Sequence, residues 1–187
     1  MLTKCYELNY SVGTESNIPE LPASPEPTKI HNLVPLSNTI IEYDILTGEK
    51  RHFEGNFRHI FKSYATWCLG EPGYYYYSGG ENSRDAWKID TGDWTAKALL
   101  NMKTGRSGHA SIYYENDLYV FGGGTETCER HHDNQWTLLP DLEDCMFKAS
   151  CCAYEDKIYI GGSGSTSIHA FSPVANVFSK LQVKLPN

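Results

Sequence analysis

The chain has 187 residues, of which 40% are hydrophobic and 21% are charged, and its formal net charge is −7 at pH 7. This length predicts one domain, or a domain with a tail. Because acidic residues outnumber basic ones, we expect no nucleic-acid partner. No apolar run approaches the roughly 20 residues that a membrane-spanning helix needs, so we expect no membrane partner. Residues 1–6 (MLTKCY) lack the apolar core of a signal peptide, which predicts a cytoplasmic protein whose six cysteines are free thiols.

The first 28 residues differ in character from the remainder of the chain. Residues 5–12 are compatible with one strand, and four prolines follow at positions 19, 22, 25 and 27. Proline removes a backbone donor and restricts the conformation of its neighbours. We therefore predict an N-terminal strand and a proline-rich linker over residues 1–28.

From residue 29 onward the sequence predicts a succession of short strands. Each is bounded by Gly, Asn, Asp or Pro, as is typical of antiparallel sheets, and no helical period is present. The strands fall into four units over approximately residues 29–58, 59–100, 101–142 and 143–187. In chain order the predicted strands are 38–44, 50–57, 64–69, 74–78, 85–90, 93–99, 109–114, 118–121, 127–131, 135–139, 149–154, 157–160, 167–171 and 177–183.

A repeat organises these strands. In the last three units an apolar strand ends in a glycine pair: Gly79 and Gly80, Gly122 and Gly123, and Gly161 and Gly162. An aromatic residue recurs late in each unit at steps of 41, 42 and 42 residues: Phe53, Trp94, Trp136 and Phe178. Four short strands per repeat of this length predict the blade of a β-propeller. We expect the aromatic side chain to pack on a neighbouring blade, and the glycines to permit a tight turn where the second strand ends.

The run of four tyrosines at positions 74–77 supports this interpretation. Alternate residues of a strand face opposite sides of the sheet, so both faces of this strand are aromatic. We therefore predict that the strand is sandwiched between two neighbouring blades.

The third unit carries the clearest family pattern. Leu118-Tyr119-Val120-Phe121-Gly122-Gly123 is followed by a variable loop and then by Trp136, and Arg106 and His109 open the inner strand. Together with the other glycine pairs, this pattern resembles kelch repeats over about residues 38–185. The resemblance implies an all-β, kelch-type β-propeller with about three full four-stranded blades plus one degenerate blade, because the first unit has lost its glycine pair.

Kelch propellers are usually closed rings of six blades, so the resemblance leaves the ring incomplete. An unclosed ring exposes strand edges, which invite self-association. The chain is then a fragment of a longer propeller, completes its ring with a second chain, or closes as a ring of four blades. We favour the fragment.

Basic residues supply the candidate binding sites. Lys62, Arg106 and Lys148 recur at steps of 44 and 42 residues, each just before an inner strand. At the rim of the central channel they would form a positive ring suited to an acidic peptide. The alternative is that they bond backbone carbonyls between blades. Arg84 and Arg130, with neighbouring charges such as Glu129, are assigned to the variable loops that follow the glycine pairs.

Residue types suited to catalysis or metal binding do not assemble into a motif. Cys128, His131, His132 and Cys145 lack the paired spacing of a zinc site, so a loop without metal is predicted. His109 has no nucleophile or carboxylate nearby in sequence, which favours a structural hydrogen bond. We therefore predict no cofactor, no metal and no enzymatic activity.

The leading functional hypothesis is a non-catalytic protein-interaction module, a scaffold that presents loops and a channel rim to a protein or peptide. A metal-dependent enzyme or small-ligand-binding propeller is the first alternative. The second is an incomplete propeller fragment without independent function.

Overall fold

The structure is a computed structural model that describes residues 28–184. These residues form 15 β-strands and no α-helix, so the all-β class is confirmed, and none of them belongs to a helix that could cross a membrane. The predicted strand at residues 5–12 lies outside the described part of the chain. The strands are β1 (Lys29–Leu33), β2 (Thr39–Asp44), β3 (Lys50–Glu54), β4 (Ala65–Leu69), β5 (Tyr74–Gly79), β6 (Ala86–Asp90), β7 (Ala96–Ala98), β8 (Ala110–Tyr114), β9 (Asp117–Phe121), β10 (Cys128–His132), β11 (Gln135–Leu138), β12 (Phe147–Tyr154), β13 (Lys157–Ser163), β14 (Ser167–Ser172) and β15 (Val177–Lys184).

The strands pair in chain order within four antiparallel sheets, which we number as blades 1 to 4. Blade 1 contains β1 to β3, and each of the other blades contains four strands. Tight turns permit this order: Glu115 and Asn116, both at positive φ, join β8 to β9 so that Tyr114 pairs with Asp117. The inner strands β4, β8 and β12 lie side by side. Three four-stranded blades plus one degenerate blade are therefore confirmed.

A hydrophobic core lies between each pair of successive blades. In β5, Tyr75 and Tyr77 pack with Leu33 and Ile40 of blade 1, whereas Tyr76 belongs to the core shared with blade 3. Because successive side chains point to opposite faces, one apolar strand supplies two interfaces. The predicted sandwich of the tyrosine strand is confirmed. The core between blades 3 and 4 includes the buried side chains of Tyr119, Phe121, Leu142, Met146, Ile158, Ile160 and Phe171.

The glycine pairs have different roles in different blades. Gly79 has a φ of +65°, and a Cβ there would lie 2.7 Å from the carbonyl oxygen of Arg106. Gly122, at a φ of +67°, ends β9 in the same way. In blade 4, however, a Cβ on Gly161 would meet nothing within 4 Å, and β13 continues through Ser163. The prediction that the glycine pair ends the second strand is therefore wrong for blade 4.

The regular spacing of the late aromatic residues does not correspond to one structural position. Trp136 pairs with His131, and Phe178 pairs with Phe171, in equivalent places after the turn between the third and fourth strands. Trp94 instead lies within that turn in blade 2, at a φ of +56°. The turns differ in length between blades, so equal sequence spacing hides a change of register.

Phe53 departs further from the repeat. Its ring packs 5.1 Å from that of Trp94, between centroids, and therefore faces blade 2, the following blade. Trp136 packs toward the preceding blade, because its indole Nε1–H donates to the carbonyl of Leu100 at 2.7 Å. The aromatic residue of the degenerate blade thus lies on the opposite face of its sheet.

Candidate protein-interaction surface

Three equivalent residues near the start of the inner strands of blades 2, 3 and 4 have a positive φ: Tyr64, Gly108 and Lys148. The backbone N–H of Gly108 donates to the carbonyl of Tyr64 at 2.7 Å, and the N–H of Ala149 donates to the carbonyl of Gly108 at 2.9 Å. These hydrogen bonds connect neighbouring blades. They hold the backbone in place where the inner strands begin.

Two of the side chains near the start of the inner strands project toward solvent. Tyr64 is 59% exposed, Lys148 is also exposed, and the ring of Tyr64 lies 5.9 Å from that of Phe147, between centroids. We call Tyr64, Phe147 and Lys148 the rim cluster. The sequence predicted Lys148 but missed Tyr64, because the intervening equivalent residue is a glycine and leaves no side-chain repeat to recognise.

Arg106 does not belong to the rim cluster, because its side chain is fully buried. Its guanidinium donates to the carbonyls of Gly122 and Thr127, both at 2.7 Å, and pairs with the Glu129 carboxylate at 2.6 Å. Arg106 thus bonds backbone carbonyls, as the structural alternative expected, but these carbonyls belong to its own blade and not to a neighbouring one. These contacts connect the segment before the inner strand of blade 3 to the loop that contains the glycine pair of the same blade.

Lys62 is the counterpart of Arg106 in blade 2. Its Nζ reaches the Oγ of Ser83 at 2.8 Å and the Oδ2 of Asp85 at 2.6 Å, where the third strand of its own blade begins. The ammonium group of Lys62 lowers the pKa of Asp85. Lys148 occupies the different position described above. The three cations therefore do not form a ring of equivalent side chains, which was one of the two alternatives that their sequence spacing suggested.

Glu129 and Arg130 were assigned to a variable loop as candidate binding residues, although they also fall in the predicted strand 127–131, and the structure places both in β10. Glu129 is fully buried and accepts hydrogen bonds from the backbone N–H groups of Lys103 and Thr104 at 2.7 and 3.0 Å. The same carboxylate also forms the ion pair with Arg106. It is a structural carboxylate within a strand, which corrects its assignment to a variable loop.

Arg84 does lie in the loop that follows a glycine pair, and it is exposed. The preceding residues hold that loop to its surroundings: the N–H of Glu81 donates to the carbonyl of Ser63, and the N–H of Asn82 to the Oγ of Ser107. Arg84 therefore stands on a backbone tied both to its own blade and to blade 3, at the same end of the blades as the rim cluster.

His109 makes the structural contacts that were predicted for it. Its buried Nε2 lies 2.7 Å from the Thr66 hydroxyl and 2.8 Å from the Ser78 hydroxyl. Burial, with the nearby charge of Arg106, lowers the pKa of His109 to about 3. The imidazole is therefore neutral at physiological pH and ties β4 and β5 of blade 2 to blade 3.

The cysteine and histidine residues considered as metal ligands lie in different surroundings. Cys128 is buried, and burial raises its thiol pKa to about 12. His132 bonds the Asp117 carboxylate at the other end of β10, and Cys145 is exposed in the segment before β12. Among residues 28–184 no group of three or more His, Cys, Asp or Glu side chains could hold a metal ion.

The described residues form three four-stranded antiparallel blades and one three-stranded blade, with inner strands side by side and glycine pairs at the second strand. This is the architecture of a partial kelch-type β-propeller. The chain is similar to Kelch-like protein 25 of Rattus norvegicus and of Mus musculus, with 32% identity over 111 residues. The protein of that name from Xenopus laevis has the same identity over the same length. Each match covers 49% of this chain and 18% of the relative, so the chain spans under a fifth of the relatives' length. No family model matches the chain.

Proposed function

We propose that the protein is a non-catalytic interaction module that binds a protein or peptide at the end of the blades where the inner strands begin. The rim cluster carries this proposal. It places an exposed tyrosine and an exposed lysine on backbone that is hydrogen-bonded from blade to blade. Rigid presentation lowers the entropy lost on binding, which favours recognition at such a surface. The similarity to Kelch-like protein 25 supports the same class of function.

The exposed charges suggest the chemistry of the partner. Lys148 and Arg84 are exposed, whereas Lys62 and Arg106 are held by carboxylates. A partner that places an acidic side chain near Lys148 and a flat or apolar group against Tyr64 would satisfy both kinds of contact.

The test is site-specific crosslinking in cell extract. A photoreactive phenylalanine analogue replaces Tyr64, and the same analogue replaces Lys97 on the outer strand β7 as the control. We expect a discrete product from position 64 that is absent from position 97 and is weakened by Lys148→Glu. The captured protein is then tested for binding in purified form. Identical products from both positions, or no product from position 64, would overturn the proposal.

A second candidate is an incomplete propeller that self-associates through its open side. The exposed apolar residues on the outer face of blade 4 favour this candidate. Tyr154 is 64% exposed and Val177 is 52% exposed on a face that, in blades 2 and 3, the next blade covers. Light scattering of the purified chain tests this candidate: self-association that is abolished by Val177→Lys would support it, and a monomer would oppose it.

A further inference from the structure

A groove runs along the outer part of the interface between blades 3 and 4. Thr137 and Leu139 form one wall, Phe171 and Pro173 form the other, and Arg130 lines the groove between them. Thr137 is exposed and pairs with Arg130 across the sheet, and Leu139 packs against the core between blades 3 and 4. The groove is built from outer strands and the turn between β14 and β15, so it is separate from the rim cluster.

Arg130 has hydrogen-bonding capacity to spare in this groove. Within the described residues its Nε is buried and has no hydrogen-bond partner. The nearest carboxylate oxygen, Oδ2 of Asp117, lies 3.7 Å from its Nη1, and the other oxygen of that carboxylate bonds His132. A guanidinium carries five N–H donors and is an efficient ligand for a carboxylate. The group is thus positioned by the fold but only weakly paired.

A cavity between blades 1 and 2 shows a contrast. There the guanidinium of Arg51 pairs closely with the buried carboxylate of Glu42, with Nε 3.0 Å from Oε1. His52, Phe53 and Trp94 also line that cavity. The arginine of that cavity therefore has a close internal carboxylate, whereas Arg130 has only a more distant one.

We propose that the groove between blades 3 and 4 binds a peptide segment in which an acidic residue adjoins an apolar residue. The acidic side chain pairs with Arg130, and the apolar side chain packs between Leu139 and Pro173. Burial of that side chain adds hydrophobic stabilisation to the charge-assisted hydrogen bonds. This site is independent of the proposed rim function and would stand if the rim bound nothing.

The test is titration of the isotopically labelled full chain, followed by NMR, with the peptide acetyl-Gly-Glu-Leu-Gly-amide. Its control is the same peptide with glutamine in place of glutamate. We expect the glutamate peptide to shift amide signals of residues that line the groove, and the glutamine peptide to bind about tenfold more weakly, since one charge-assisted pair is lost. Arg130→Gln should weaken binding of the glutamate peptide by a similar factor. Arg130→Lys should retain part of it.

Two further variants keep the test decisive. Lys97→Gln removes one positive charge from the outer strand of blade 2 and should leave binding unchanged. Thr137→Asp alters an exposed side chain on the same face of the sheet as Arg130 and adds a competing carboxylate there, so it should weaken binding of the glutamate peptide without unfolding the protein, which covers the case in which Arg130→Gln does not fold. Equal binding of the two peptides, shifts confined to residues outside the groove, or undiminished binding by Thr137→Asp would overturn the proposal.

Discussion

Arg106 and Glu129 form an ion pair whose partners are both 0% exposed, with Nη2 and Oε1 2.6 Å apart. They lie 23 positions apart in the sequence, and the intervening segment contains the inner strand and the glycine pair of blade 3. The arginine also bonds backbone carbonyls and the glutamate also accepts backbone N–H groups, so this pair ties the segment before β8 to the end of β9 and the start of β10. Buried charges are stable only when paired in this way.

Removal of one member of this pair should be strongly destabilising. Arg106→Met leaves the Glu129 carboxylate buried without its partner, and we expect a loss of about 3–5 kcal/mol in the free energy of unfolding. Urea denaturation followed by tryptophan fluorescence measures the loss. The matched control is Lys62→Met, which removes a partly exposed pair and should lose less than about 1 kcal/mol. Equal losses from the two variants would contradict a special role for the buried pair.

Two glycines of the repeat should respond oppositely to alanine. Gly79→Ala adds a Cβ at a φ of +65° and 2.7 Å from a backbone oxygen, so we expect a loss of at least about 1 kcal/mol. Gly161→Ala adds a Cβ that meets nothing within 4 Å at an ordinary φ, and it should be neutral or slightly stabilising. Thermal denaturation of the two variants provides the comparison. A large loss from Gly161→Ala would show that blade 4 depends on its glycine as blade 2 does.

The burial of His109 predicts a pH-dependent stability. Its pKa falls from 6.5 to about 3 on folding, so the unfolded chain binds a proton that the folded chain does not. Stability from this group is complete above pH 6.5 and is lost as the pH falls toward 3, by up to about 1.4 kcal/mol per pH unit. Denaturation midpoints at pH 7 and pH 5 should therefore differ less in His109→Gln than in the wild-type chain. His52→Gln, at an exposed residue, should leave the difference unchanged.

Cys128 and Cys145 should differ in their reactivity toward a thiol reagent. Burial raises the pKa of Cys128 to about 12, whereas Cys145 is exposed. Iodoacetamide reacts with the thiolate, so under native conditions at pH 8 it should label Cys145 and leave Cys128 unmodified until the chain unfolds. Peptide mass spectrometry after a timed reaction measures both sites. Early labelling of Cys128 would mean that the core between blades 3 and 4 opens readily.

The strand pattern could be predicted because it is local. Alternation of side chains, glycine pairs and turn residues act over a few positions, and they located the four strands of blades 2 to 4 to within a few residues. The tyrosine run also showed from its alternation alone that β5 lies between two blades.

The candidate site could be predicted only in part, because its relationships are between blades. Lys62 and Arg106 occupy equivalent places, but Lys148 is equivalent to Gly108 and Tyr64, which sequence spacing did not reveal. Turns and loops of different length shift the register from one blade to the next, so equal spacing in the sequence does not ensure equal position.

The sequence by itself determined the all-β class, the repeat and the number of blades, since each depends on short-range alternation and turn chemistry. Only the tertiary structure decided which charges are used internally. Burial assigned Glu129 to Arg106 and left Lys148 and Tyr64 at the surface. The physical reason is that the free energy of a charge depends on its solvent exposure and its partners, and both are set by contacts between residues far apart in the chain.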